Sequence, residues 1–134
     1  MITVDSSALI AILKGEPERE SFIRIMVEAD GVAISAGTYL ETSILVDSSN
    51  DPVLVREFGE FMFDLAVEVV PVTRQSAELA RAACKKYGRR SKSAAKLNYG
   101  DCFSYALAAE THTPLLYKGN DFSRTDIRSA AARP

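Results

Sequence analysis

Four carboxylates, Asp5, Glu41, Asp101 and Asp121, stand where a globular chain rarely keeps an acid, at the end of an apolar strand or the opening of a helix with an apolar face. Asp5 closes Ile2-Thr3-Val4, where a charge gains nothing from burial, so its position points to a ligand. Each acid alone has a plainer reading, because a carboxylate in the first turn of a helix is also stabilised by the helix dipole. The set of four carries the signal. With no His or thiolate partners it is a hard oxygen donor set, which suits Mg²⁺ or Mn²⁺ and disfavours zinc. Without a cation, acids crowded together would repel and one or more would take up a proton. A divalent ion removes that conflict and can also activate a water and stabilise a phosphoryl group undergoing in-line displacement.

Other chemistry-bearing residues are sparse. Cys84 and Cys102 fall on expected helices without the spacing of a metal clip or redox pair, and read as buried free thiols. The single histidine, His112, follows a helix near a turn and cannot complete a zinc site with two scattered cysteines. Charge is uneven. Arg81, Lys85, Lys86, Arg89, Arg90, Lys92 and Lys96 lie in a stretch without an acid; removing its +7 from the net −2 leaves −9 elsewhere. Such a run is often only a solvated face. This one leads directly into Asp101, so a polyanion held by it would lie beside the acids.

The elements that must position these groups alternate between strand and helix. Ile2–Val4 is a short apolar strand, followed by a helix that Ser6 or Ser7 can cap and that carries Leu9, Ile10, Ile12 and Leu13. Gly15 and Pro17 break it. A second helix spans about Glu18 to Ala29, and Val32–Ser35 is the next strand. Ser35 caps a third helix running through Leu40, Ile44 and Leu45 to a polar turn at Asp47-Ser48-Ser49-Asn50. Pro52 opens a fourth, in a favoured first-turn position, with Leu54, Phe58, Phe61, Met62 and Leu65 as its core stripe and Phe63 pointing elsewhere. Val67–Val70 is a strand. Thr73 caps a fifth helix that Gly88 stops after Tyr87; a sixth runs from Tyr99 to about Glu110, Leu115–Tyr117 is a strand, and a short element near Ile127 closes the chain.

Short apolar strands separated by helices imply a mostly parallel sheet covered on both faces, in one domain over residues 1–134. Such sheets bind ligands beyond the carboxyl ends of their strands, where connections diverge. Asp5 ends the first strand, Asp121 lies in the loop after the fourth, and Glu41 and Asp101 open helices that follow loops, so all four can reach one crevice. Apolar residues make up 47% of the chain without forming a membrane-length run, and the start lacks the basic region of a signal peptide. A cytoplasmic protein is expected.

Four segments then resemble, in order, the motifs of PIN-domain ribonucleases, and more narrowly the VapC toxins of VapBC toxin–antitoxin modules. They are Val4-Asp5-Ser6-Ser7-Ala8-Leu9, Ser35-Ala36-Gly37-Thr38-Tyr39-Leu40-Glu41-Thr42, Leu97-Asn98-Tyr99-Gly100-Asp101-Cys102-Phe103-Ser104-Tyr105-Ala106 and Leu115-Leu116-Tyr117-Lys118-Gly119-Asn120-Asp121-Phe122. The resemblance implies a three-layer α/β/α sandwich with a sheet of about five strands. It also implies Mg²⁺- or Mn²⁺-dependent cleavage of RNA, inhibition by a VapB-like antitoxin, and a homodimer. Carried over by position, Asp5 and Asp101 are metal ligands, Glu41 and Asp121 complete the acidic pocket, and Ser7 supports the first Asp. Asn120 stands where relatives can carry a further acid. Lys85, Lys86, Arg89, Arg90, Lys92 and Lys96 would steer RNA.

Asp126 is either a contributor at the pocket edge or the cap of a last short helix. Two other functional classes compete with the nuclease. A phosphohydrolase of the haloacid dehalogenase type also places Asp after its first strand, but wants a second Asp two residues later, where this chain has Ser7. A non-catalytic RNA-binding module on a degenerate nuclease fold would have little use for four acids, since carboxylates repel phosphate unless a cation bridges them.

Overall fold

The computed structural model describes residues 1–131. Its strands are β1 (Ile2–Val4), β2 (Val32–Ser35), β3 (Glu68–Val70) and β4 (Leu115–Leu116). Its helices are α1 (Ser6–Leu13), α2 (Arg19–Glu28), α3 (Ala36–Ser48), α4 (Pro52–Asp64), α5 (Arg74–Tyr87) and α6 (Tyr99–Thr111). All strand pairings are parallel, in the order β3-β2-β1-β4, with Thr3 opposite both Ala33 and Leu115. The expected fifth strand is reduced to a single parallel bridge from Ser129 to Leu115, held by the Leu115 amide on the Arg128 carbonyl and the Ala130 amide on Leu115. No final helix forms around Ile127.

Successive strand residues point to opposite faces of a sheet. Leu115 and Leu116 accordingly join different apolar clusters, which places a core on each face. One contains Val4, Leu9, Ile12, Phe22, Met26, Ile34 and Phe58 from β1, α1, α2, β2 and α4. The other joins Tyr87, Leu97, Cys102, Leu115 and Phe122. Each large side chain so buried contributes about 1.5–3 kcal/mol relative to exposure. The α4 stripe behaves as its spacing implies: Phe58 is buried, Leu54, Phe61, Met62 and Leu65 pack beside the core, and Phe63 is 84% exposed.

Local chemistry sets several helix ends where the sequence implies. Thr73 caps α5 in a reciprocal capping box with Ser76, Gly88 follows its last residue, Ser35 caps α3, and Pro52 opens α4 behind the cap Asp51. Two expectations need correction. The N-cap of α1 is Asp5 itself, not Ser6 or Ser7. The buried face of α3 consists of Thr38, Thr42 and Val46, whereas Leu40, Ile44 and Leu45 are exposed. Threonine can occupy that interior because its hydroxyls are bonded: Thr42 to the Thr38 carbonyl at 2.8 Å, and Thr38 to Ser104 of α6 at 3.0 Å.

Candidate active site

From β1 the chain steps outward to β2 and β3, then crosses back to lay β4 on the other side of β1. The connections therefore diverge between β1 and β4, and the crevice beyond their carboxyl ends is where an α/β sheet of this type holds a ligand. Asp5 leaves β1 at that point, and the turn carrying Asp121 leaves β4. The Asp5 amide donates to the Leu116 carbonyl at 2.9 Å, and the Lys118 amide donates to Ser7 Oγ at 3.0 Å, so the two exits are tied together.

Asp5 is 2% exposed and fully engaged. Its Oδ2 accepts from the Ser7 amide at 3.1 Å and from Ser7 Oγ at 2.7 Å; its Oδ1 accepts from Ser104 Oγ at 2.5 Å. A serine has one hydroxyl proton. Because Ser104 spends it on Asp5, Thr38 must be the donor in its bond to Ser104, giving a buried relay from α3 through α6 to β1. Ser7 thus bonds Asp5 through both its amide and its hydroxyl. Ser104 was not singled out from the sequence, although the helical repeat from Asp101 puts it on the same side of α6.

Asp101 occupies the third position of α6, where its Oδ2 accepts from the Asn98 amide at 3.0 Å while the Asn98 side chain accepts from the Asp101 amide at 2.9 Å. This capping box aims the carboxyl into the crevice. Burial, first, raises the Asp101 pKa to about 7 against the lowering effect of the Asn98 bond, and the charges of Asp5, Asp121 and Glu41 raise it further. Glu41 lies in the second turn of α3 rather than at its opening. Its Oε1 accepts from Ser6 Oγ at 2.9 Å, and its carboxylate rests on α6 where a Cβ at Gly100 would stand. Asp121 is exposed in its turn, held in place by the buried Phe122.

Asp5, Asp121 and Glu41 thus act electrostatically on Asp101, and carboxylate oxygens are the donors a hard cation takes. Among the described residues, however, no three His, Cys, Asp or Glu side chains are gathered into a ready metal-ligand group. Asp126 stands apart. It accepts from the Tyr105 hydroxyl at 2.6 Å, is absent from the charges acting on Asp101, and has no following helix to cap. Burial and Asp126 together raise the pKa of that hydroxyl.

The basic segment is a folded loop. The Leu97 amide bonds to the Tyr87 carbonyl at 2.8 Å, Ala95 and Leu97 are buried, and Lys96 donates to the Ser91 carbonyl at 2.8 Å. Its cations divide. Arg81, Lys85, Arg89 and Arg90 line a groove of about 920 Å³ between α5 and α6, together with Tyr99 and Phe103. Lys86 lies over the Tyr87 ring at 5.0 Å, and Lys86, Lys92 and Lys96 do not line the groove. Cys84 is exposed into it, contrary to expectation, and faces buried Cys102, whose thiol is pushed up to about 12 by burial and by Cys84.

Comparison with known proteins agrees with this arrangement. The PIN-domain profile matches residues 2–128. Ribonuclease VapC28 of Mycobacterium tuberculosis is 45% identical over 130 residues, covering 97% of this chain and 98% of its own. The crystal structure of Mycobacterium tuberculosis VapC20, described as a sarcin-ricin loop cleaving toxin, superposes with a TM-score of 0.76 at 20% identity over the whole of both chains. A toxin–antitoxin complex from Klebsiella pneumoniae matches with a TM-score of 0.70 at 17% identity, covering 94% of this chain and 93% of the other. The haloacid dehalogenase alternative falls with these findings, and acids that leave β1 and β4 at the switch point are carried by a chain that belongs to the PIN-domain family, among its VapC ribonucleases.

Proposed function

We propose that this protein is the toxin of a VapBC-type module, an endoribonuclease whose Asp5, Glu41, Asp101 and Asp121 hold Mg²⁺ or Mn²⁺ at the scissile phosphodiester. The observation that carries this reading is the convergence of the acids: Ser104 of α6 donates to Asp5, the Glu41 carboxylate rests on Gly100 beside Asp101, and burial and the gathered charge raise the Asp101 pKa. Burial makes its ionised form costly, and the gathered negative charge is unfavourable until a cation offsets it. When bound, the ion would supply Lewis acidity toward water and the phosphoryl oxygens. The chain's own part is positional. Ser7 and Ser104 fix both Asp5 oxygens, Asn98 fixes Asp101, and Ser6 fixes Glu41, so little reorganisation remains for catalysis. RNA as substrate places the protein in the cytoplasm.

A small VapB-like antitoxin and a second copy of the chain are the proposed protein partners. Leu40, Ile44 and Phe63 leave apolar surface on α3 and α4 that a partner would cover, and the Klebsiella relative in fold is itself described as a toxin–antitoxin complex. An arginine from the antitoxin could engage the acids through its planar fork. No described helix is long and apolar enough to cross a membrane.

The test is cleavage of a defined RNA by the purified chain. Mg²⁺ or Mn²⁺ should support it, zinc should substitute poorly, and excess chelator should stop it. Full activity in chelator, with no metal retained, removes the cation from the reading. In cells, expression of the chain alone should arrest growth and co-expression of its adjacent small reading frame should restore it.

A further inference from the structure

Resting on the nuclease reading, we propose that the groove between α5 and α6 is a subsite for single-stranded RNA, in which an unpaired base stacks on Tyr99 while Arg81, Lys85, Arg89 and Arg90 take the flanking phosphates. The groove's volume of about 920 Å³ lies within the range of ligand clefts, and four cations and no acid line it. Its floor is apolar, built from small side chains of α5 with Leu97 and Cys102. Charge of one sign above an apolar floor matches a polymer that presents phosphates on one side and bases on the other.

Tyr99 supplies the more specific observation. Its ring, at the first position of α6, is 81% exposed, a large apolar face left open at the groove. Phe103 props it, with ring centroids 5.0 Å apart and planes at 89°. Phe103 is in turn seated on Gly37, where an added Cβ would lie 2.7 Å from the ring. Phe103 is therefore seated against α3 while Tyr99, touching its edge, stays open. Tyr99 opens α6 two residues before Asp101, and Gly100 between them bears the Glu41 carboxylate, so the groove and the acidic crevice flank the same first turn of α6, although none of the four acids lines the groove. A strand that leaves the crevice and passes over the start of α6 would bring a later nucleotide into the groove. Paired bases are already stacked and could not use the ring, so the occupant is unpaired.

The experiment measures binding of a short unstructured oligoribonucleotide containing 2-aminopurine to the full chain carrying Asp5→Asn, with chelator present and the oligoribonucleotide checked for integrity after each titration. Added to that background, Tyr99→Ala should weaken binding about tenfold, leave the salt dependence unchanged and abolish quenching of the fluorescent base; Tyr99→Trp should restore both. Arg89→Ala with Arg90→Ala should flatten the log–log salt slope by about 1.4. Equal affinity and quenching in the Tyr99→Ala and Tyr99 proteins would overturn the subsite. If that substitution instead spares RNA binding and disrupts dimer mass or antitoxin binding, the groove is a protein interface. The two readings fail separately. An unsubstituted enzyme that cuts RNA no better than its Tyr99→Ala form removes only the subsite, whereas one that neither binds nor cuts RNA removes the nuclease reading and the subsite together.

Discussion

Ser104 donates its hydroxyl to Oδ1 of Asp5 at 2.5 Å, joining the middle of α6 to the end of β1 inside the core. The bond fixes one carboxylate oxygen while Ser7 fixes the other. Ser104→Ala should leave that oxygen without its donor and Thr38 without its acceptor. A hydrogen bond to a charged group is worth about 1.5–3 kcal/mol, so stability should fall by about 2 kcal/mol and RNA cleavage by about tenfold or more. Thermal unfolding and initial rates on one substrate check both, and a fully active variant would show that Asp5 is oriented by Ser7 alone.

Asp5 has two duties, and substitution separates them. As N-cap of α1 it accepts from the Ser7 amide, a bond asparagine can also accept. Asp5→Asn keeps one oxygen for the Ser7 cap and should abolish cleavage while the chain still folds, whereas Asp5→Ala loses the cap, worth about 1 kcal/mol, and also leaves the Ser7 and Ser104 hydroxyls without their acceptor, so it should melt lower still. The two melting curves separate loss of the charge from loss of the acceptor. Growth arrest in cells that persists unchanged with Asp5→Asn would place the toxicity elsewhere.

The raised pKa of Asp101 makes the stability of the cation-free protein depend on pH in a definite direction. Folded, the group titrates at about 7; its ordinary value is 3.8. Between those values the folded chain keeps a proton that the unfolded chain has released, so this group's contribution falls as pH rises from about 4 to about 7. Below about 4 it costs nothing, and above 7 the cost is complete, at most about 4 kcal/mol. With chelator present, Asp101→Asn should melt above the unsubstituted chain at pH 7.5, and the advantage should shrink toward pH 4. Parallel melting profiles across that range would mean that the Asp101 charge carries no such cost.

Local chemistry made much of this molecule legible in the sequence. Thr73, Ser35, Pro52 and Gly88 mark helix ends because caps and stops act within a few residues, and the period of α4 separates Phe58 from Phe63 because each faces a single environment. Legibility fails where a distant partner decides. Thr38 and Thr42 occupy the interior position that hydrophobicity assigns to Leu45, and Thr38 is admitted by Ser104, 66 positions away. The acids stand out by their unusual placement, whereas Ser7 as a support is reached only through the family resemblance and Ser104 carries no mark at all. Asp126, read as a pocket-edge contributor or the cap of a last helix, finds its partner in the Tyr105 hydroxyl of α6, a pairing across 21 positions that no local pattern announces.

Gly100 gives the sharpest test of Glu41. The Glu41 carboxylate, bonded to Ser6, lies where the methyl group of an alanine at position 100 would stand, so Gly100→Ala should evict it from the crevice without touching any ligand residue. The end of a glutamate side chain is flexible and can swing toward solvent at small cost. Alanine is also favoured over glycine within a helix by about 0.5–1 kcal/mol, so the variant should be as stable as the parent or slightly more so. Cleavage should nevertheless fall at least tenfold, matching Glu41→Gln. Two substitutions that remove one interaction are not additive, so the double variant should be no worse than either single one. A fully active Gly100→Ala protein would show that catalysis does not need Glu41 at this place, and independent, multiplying losses would show that Gly100 serves the reaction by another route.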